Sequence, residues 1–122
     1  MRTFNLAEEL LKPGETALCL FTDGRLLTIG PDGSGSSGNW KLDPNCIVQR
    51  VIIFRWSMRD GERSVELFTA LLNGMSGPTD EGRYIVHLLD VHLQGTTSQT
   101  WEKFVATEKH PVAYVTRVAG NS

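Results

Sequence analysis

Apolar residues recur along the chain in short runs with a period near two, broken by glycine, proline and Asp-Gly pairs, which is the signature of strands joined by turns. The pattern predicts strands over residues 16–22, 25–29, 47–56, 63–72, 83–93 and 111–118. Two segments depart from it. Residues 3–12 carry Asn5 and Glu8 at capping-box spacing and the stripe Leu6, Leu10 and Leu11, predicting a short helix that Pro13-Gly14 ends. Residues 99–108 follow the hydroxyls of Thr96, Thr97 and Ser98 and align Trp101, Phe104 and Val105 on one face, predicting a second.

Turn chemistry predicts which strands meet. Asp23-Gly24 and Asp60-Gly61 are the residue types of a two-residue type I′ hairpin turn, in which both positions need positive φ. At the first corner Phe21 is expected opposite Leu26 and Leu20 opposite Leu27. At the second, Trp56 is expected opposite Val65, Arg55 opposite Glu66 and Phe54 opposite Leu67, which sets an ion pair on one face and apolar pairs on the other. The first hairpin is apolar on both faces, so it is expected to be covered on two sides or to close into a barrel. The fold class this predicts is α+β: a mainly antiparallel, strongly curled sheet or small open β-barrel of about six strands with two short helices. One globular domain spans 1–122, with 30–39 as a flexible Gly/Ser loop and 73–82 as a second turn-rich loop.

Composition narrows function. Twelve Lys and Arg against fourteen Asp and Glu give a net charge of −2, without the whole-domain basicity of an electrostatic nucleic-acid binder. No window approaches the ~18 apolar residues of a membrane span. The acidic N-terminal stretch lacks the apolar run of a signal peptide, so a cytoplasmic location and no membrane partner are expected. Cys19 and Cys46 sit in or beside apolar segments and form no Cys-x-x-Cys, which predicts buried free thiols.

Candidate chemistry is thin. Gly33 to Gly38 satisfies G-x-G-x-x-G, yet Asn39-Trp40 follows where a dinucleotide site needs a helix and a P-loop needs Lys and Ser or Thr. Strand alternation separates His87, on a face with Ile85, Leu89 and Val91, from His92, which shares its face with Asp90. No nucleophile motif, metal set or cofactor signature is present, so no catalytic residue, metal or cofactor is assigned. Eight of the twelve basic residues are arginine, and Arg50, Arg55, Arg59, Arg63, Arg83 and Arg117 fall in or at the ends of strands, near Trp40, Trp56 and Tyr84. Guanidinium forks grip carboxylates and phosphates and stack on aromatic planes. The leading expectation is therefore a non-enzymatic recognition domain that binds a nucleotide or single-stranded nucleic acid through Trp40, Arg50, Arg55, Arg63, Arg83 and Tyr84. Two alternatives compete with it: a protein-interaction module of inhibitor or immunity type, dimeric or partner-bound, and a small hydrolase built on Asp90, His92 and Glu66.

Overall fold

The computed structural model describes residues 2–3, 7–22, 27–41, 48–97 and 112–117. They form β1 (Arg2–Thr3), a single 3₁₀ turn (Ala7–Leu10), β2 (Thr16–Thr22), β3 (Leu27–Ile29), β4 (Gly35–Trp40), β5 (Arg50–Arg59), β6 (Glu62–Ser76), β7 (Tyr84–Thr97) and β8 (Val112–Thr116). All strands belong to one sheet of order β3-β4-β7-β6-β5-β2-β8, with β1 added beside β7.

This corrects the expected fold class. The sheet is open and mixed, because β2 runs parallel to β5 and β1 parallel to β7, while the remaining pairs are antiparallel. It does not close into a barrel: the order ends at β3 and β8, which do not pair. Nor does either expected helix stand among the described residues. The first expected helix is only the 3₁₀ turn, shortened by β1 before it and the Pro13-Gly14 turn after it, and the second, over 99–108, lies outside the described residues. Among those residues no helix is long and apolar enough to cross a membrane.

The Asp60-Gly61 hairpin forms as its chemistry requires. Asp60 and Gly61 adopt φ of 51° and 79°, and Arg55 faces Glu66, Trp56 faces Val65 and Phe54 faces Leu67. The Asp23-Gly24 corner and Leu26 lie outside the described residues, but the expected pairing of Leu20 with Leu27 does not occur. Leu20 stands between Ile53 of β5 and Val112 of β8, and Leu27 faces Ser37. Both faces of β2 are indeed covered, which explains its continuous apolar run: Ala17 and Cys19 join Ile52, Phe54, Leu67 and Val115 on one face, whereas Leu18 and Leu20 join Val51, Ile53, Phe68 and Val86 on the other.

The expected glycine loop is a second correction, since residues 35–40 make β4, held between β3 and β7. Small residues are needed here because backbones pass closely. A methyl on Gly35 would overlap the Thr28 carbonyl oxygen, and one on Gly38 would lie 2.9 Å from Ile85 Cγ1. β6 likewise extends into the expected loop at 73–82, as far as Ser76, and its pairing with β7 shifts register at three irregularities: between Leu67 and Phe68, between Thr69 and Leu71, and between Leu72 and Met75. Asp90, at φ 50°, and Gly74, at φ 115°, lie within two of them.

Candidate functional site

The residues expected to form one aromatic and cationic wall are divided between the two faces of the sheet. Arg50 and Arg55 are five positions apart on β5, so they point in opposite directions. Arg55 places Nη2 2.7 Å and Nε 3.1 Å from Glu66 Oε1 and lays its guanidinium 4.8 Å from the centroid of Phe68. Its fork is therefore occupied by a neighbour. Trp40 is 8% exposed, packs among Leu18, Val51 and Val86, and donates its indole N–H to Ser37 Oγ at 3.0 Å. A ring so enclosed cannot act as a stacking platform for an incoming base. Tyr84 is half-buried opposite Trp40, and Arg83 next to it holds Nε 3.5 Å from Glu81 Oε2. Arg63 faces Met58 at the start of β6, and its side chain lies outside the described residues. Trp40, Arg83 and Tyr84 are thus near one another, but Arg50 and Arg55 join neither them nor each other.

Arg50 instead lines a cleft of about 270 Å³ on the face that carries Cys19, Ile52 and Phe54. Two pieces of local sequence build it. In the first, Pro13-Gly14 makes a type II turn: Pro13 supplies the fixed φ, Gly14 sits at φ 80°, and Glu15 N–H donates to Lys12 C=O at 2.9 Å. The turn is pinned by Arg117, whose C=O accepts from Gly14 N–H at 2.7 Å, whose N–H donates to Glu15 C=O at 2.9 Å, and whose Nη1 donates to Leu11 C=O at 2.8 Å. Arg117 is thus a structural arginine. The turn sets Glu15 and Lys12 on one wall, with Glu9, Leu10 and Leu11 of the preceding segment above them.

The second piece is the irregularity between Leu67 and Phe68. Leu67 faces Gly95 and Phe68 faces Leu93, which leaves Gln94 as an extra residue on β7. Such a bulge re-aims a side chain. Here Gln94 turns onto Thr69 of β6, donating from Nε2 to Oγ1 at 2.8 Å, and both line the cleft floor beside Arg50.

At the centre Arg50 Nε lies 3.6 Å from Glu15 Oε1, with each side chain 24% exposed. That spacing gives Coulomb attraction without a hydrogen bond. The Nε atom is buried and has no hydrogen-bond partner among the described residues. Glu15 Oε1 also accepts from Lys12 N–H at 3.2 Å. Guanidinium donors, a carboxylate and an amide carbonyl oxygen therefore converge, without a Ser, Cys or His among the lining residues. The arrangement offers charges and hydrogen-bonding groups for binding; among the described lining residues there is no imidazole base, and the Thr69 hydroxyl already accepts from Gln94 Nε2.

The expected hydrolase constellation is not assembled. Glu66 is paired with Arg55 on the face that carries Phe68, whereas His92 faces Thr69 on the opposite one. The Asp90 irregularity also moves Val91 to the face of Val86 and Leu88, away from His87. His87 Nε2 makes a 2.5 Å hydrogen bond with Ser76 Oγ, tying the end of β6 to β7. Among the described residues no three His, Cys, Asp or Glu side chains are grouped to hold a metal ion.

Of the residues lining this cleft, the sequence pointed to Arg50 and not to Glu15, Thr69 or Gln94. The Pro13-Gly14 pair was the visible sign that Glu15 would be turned back onto the sheet; nothing in the residue types around Gln94 announced the bulge. Comparison with known protein families, curated proteins and solved structures finds no match for this chain.

Proposed function

We propose that the chain is a non-enzymatic recognition domain that holds a small carboxylate- or phosphate-bearing molecule in the Arg50 cleft. The observation that carries this reading is Arg50 itself: its side chain is 24% exposed at the cleft, its Nε has no hydrogen-bond acceptor among the described residues, and the Glu15 carboxylate stands off at 3.6 Å. An anion at the exposed part of this guanidinium would gain charge-assisted hydrogen bonds that the Glu15 carboxylate, at 3.6 Å, does not make. At about 270 Å³ the cleft lies near the lower end of the ~300–1,000 Å³ of drug-sized ligand sites, which is room for a small molecule.

The test is a two-dimensional NMR titration of the isotopically labelled chain with succinate, inorganic phosphate and adenosine monophosphate. The expected result is movement of the Glu15, Arg50, Thr69 and Gln94 amides that Arg50→Ala abolishes and Arg50→Lys weakens. Failure of every anion to move those amides at millimolar concentration would overturn the reading. The nucleotide arm asks separately whether the base contributes: adenosine monophosphate binding no more tightly than phosphate assigns the affinity to the anionic group.

A further inference from the structure

We infer that the preferred ligand of the Arg50 cleft is a zwitterion, a free α-amino acid carrying both a carboxylate and an ammonium group. This rests on the reading of the cleft as a ligand site and adds the chemistry of the ligand. Among the described residues the charges on the cleft walls balance, Lys12 and Arg50 against Glu9 and Glu15. A polyanion placed against Arg50 would meet Glu15 at the same point, because the two side chains are only 3.6 Å apart. A molecule with one charge of each sign avoids that repulsion.

The Arg50–Glu15 contact is built to be replaced. It is an ion pair without a hydrogen bond, since the separation exceeds hydrogen-bonding distance and Arg50 Nε has no acceptor among the described residues. An α-carboxylate can take the guanidinium fork while the α-ammonium, two bonds away, donates to the Glu15 carboxylate, so that one loose contact becomes two charge-assisted hydrogen bonds. The remaining lining sorts the side chain. Gln94 spends an N–H on Thr69, and Leu10, half-buried above the Leu11 core position, offers an apolar contact. Among the described residues no aromatic ring lines the cleft, so none of them offers a nucleobase a stacking partner.

The experiment titrates the labelled full-length chain with L-glutamine and L-leucine, then with the N-acetyl and carboxamide forms of each, and with acetate and inorganic phosphate. Expected is binding of at least one free amino acid about tenfold or more tighter than either of its blocked forms, the loss of one charge-assisted hydrogen bond. Glu15→Gln should weaken the free amino acid and leave its N-acetyl form no weaker, since that anion loses a like charge beside Arg50, with amide positions outside the cleft preserved as the control for folding. If the N-acetyl form binds as well as the free amino acid, or if phosphate binds and no amino acid does, the zwitterion is wrong while the anion site stands. If none of the probes moves the cleft amides, both fall.

Discussion

Trp40 is fixed by a single polar contact in an apolar setting, and the setting decides its worth. Its indole N–H reaches Ser37 Oγ at 3.0 Å, and Ser37 is fully buried. Removing the hydroxyl leaves a buried donor with no acceptor, so Ser37→Ala should destabilise the chain by ~1–3 kcal/mol in urea unfolding. Ser37→Ala combined with Trp40→Phe, which removes donor and acceptor together, should cost less than the two single changes added. Additive costs would refute the coupling. Asp32 shows the opposite regime, an exposed group held by local geometry. Its carboxylate accepts from Ser34 Oγ at 2.6 Å and from Ser34 N–H at 3.1 Å, and these bonds, the hydroxyl's first, lower its pKa below the ordinary aspartate value. A depressed folded-state pKa means that the stabilisation is fully present above the unfolded value near 3.9 and is lost as pH falls through the lower, folded one. Asp32→Asn should therefore flatten the acid limb of the stability profile below about pH 4 and leave its slope at neutral pH unchanged. Parallel acid limbs for the two proteins would contradict this.

Two glycines separate conformational from steric necessity in the strands and turns. Gly61 sits at φ 79° with nothing within 4 Å of where a Cβ would be, so Gly61→Ala costs only left-handed backbone strain, ~1–2 kcal/mol, and should leave hydrogen exchange in β5 and β6 ordered as before. Gly35→Ala drives a methyl into the Thr28 carbonyl, which must move, so the Leu27–Ile29 amides should exchange markedly faster even where global stability changes little. Unchanged β3 exchange in that variant would show the approach to be less close than described. The same contrast explains what was legible in the sequence. The β5–β6 register could be read because Asp60-Gly61 fixes its turn by local φ requirements, and Arg55 with Glu66 then fall opposite each other. β2 could not be placed that way, since its partners β5 and β8 lie far along the chain and apolar runs such as Leu18–Phe21 are compatible with many neighbours. β4 was hidden because glycine and serine count as loop formers by composition, while here their smallness lets a strand fit between β3 and β7. The cleft was half legible for a related reason: Arg50 was visible by type, but Gln94 reaches Thr69 only through a bulge.

For the molecule as a whole, the sheet order implies a gradient of stability from centre to rim. β5 lies between β6 and β2, and Val51, Ile52, Ile53 and Phe54 fill both apolar faces at 1% exposure or less. β3 stands at the end of the order with three residues, and Ile29 is 37% exposed. Amides of Val51–Phe54 and Leu18–Leu20 should therefore exchange only through global unfolding, with a urea dependence equal to the equilibrium m-value, while β3 opens locally with a shallow dependence. Phe54→Ala, cutting a side chain out of the centre of one face, should lower global stability by ~3–5 kcal/mol and shift the exchange of all central amides together. The cleft lies on this gradient. Arg50 and Thr69 belong to the central strands, whereas Glu15 stands on a turn and Gln94 on a bulge. A ligand that joins Arg50 to Glu15 should slow exchange chiefly at residues 12–15 and around Gln94, because those are the parts that local opening reaches first. Protection spread evenly over the central strands would mean instead that the ligand acts only through global stability, and that turn and bulge contribute no separate motion to its binding.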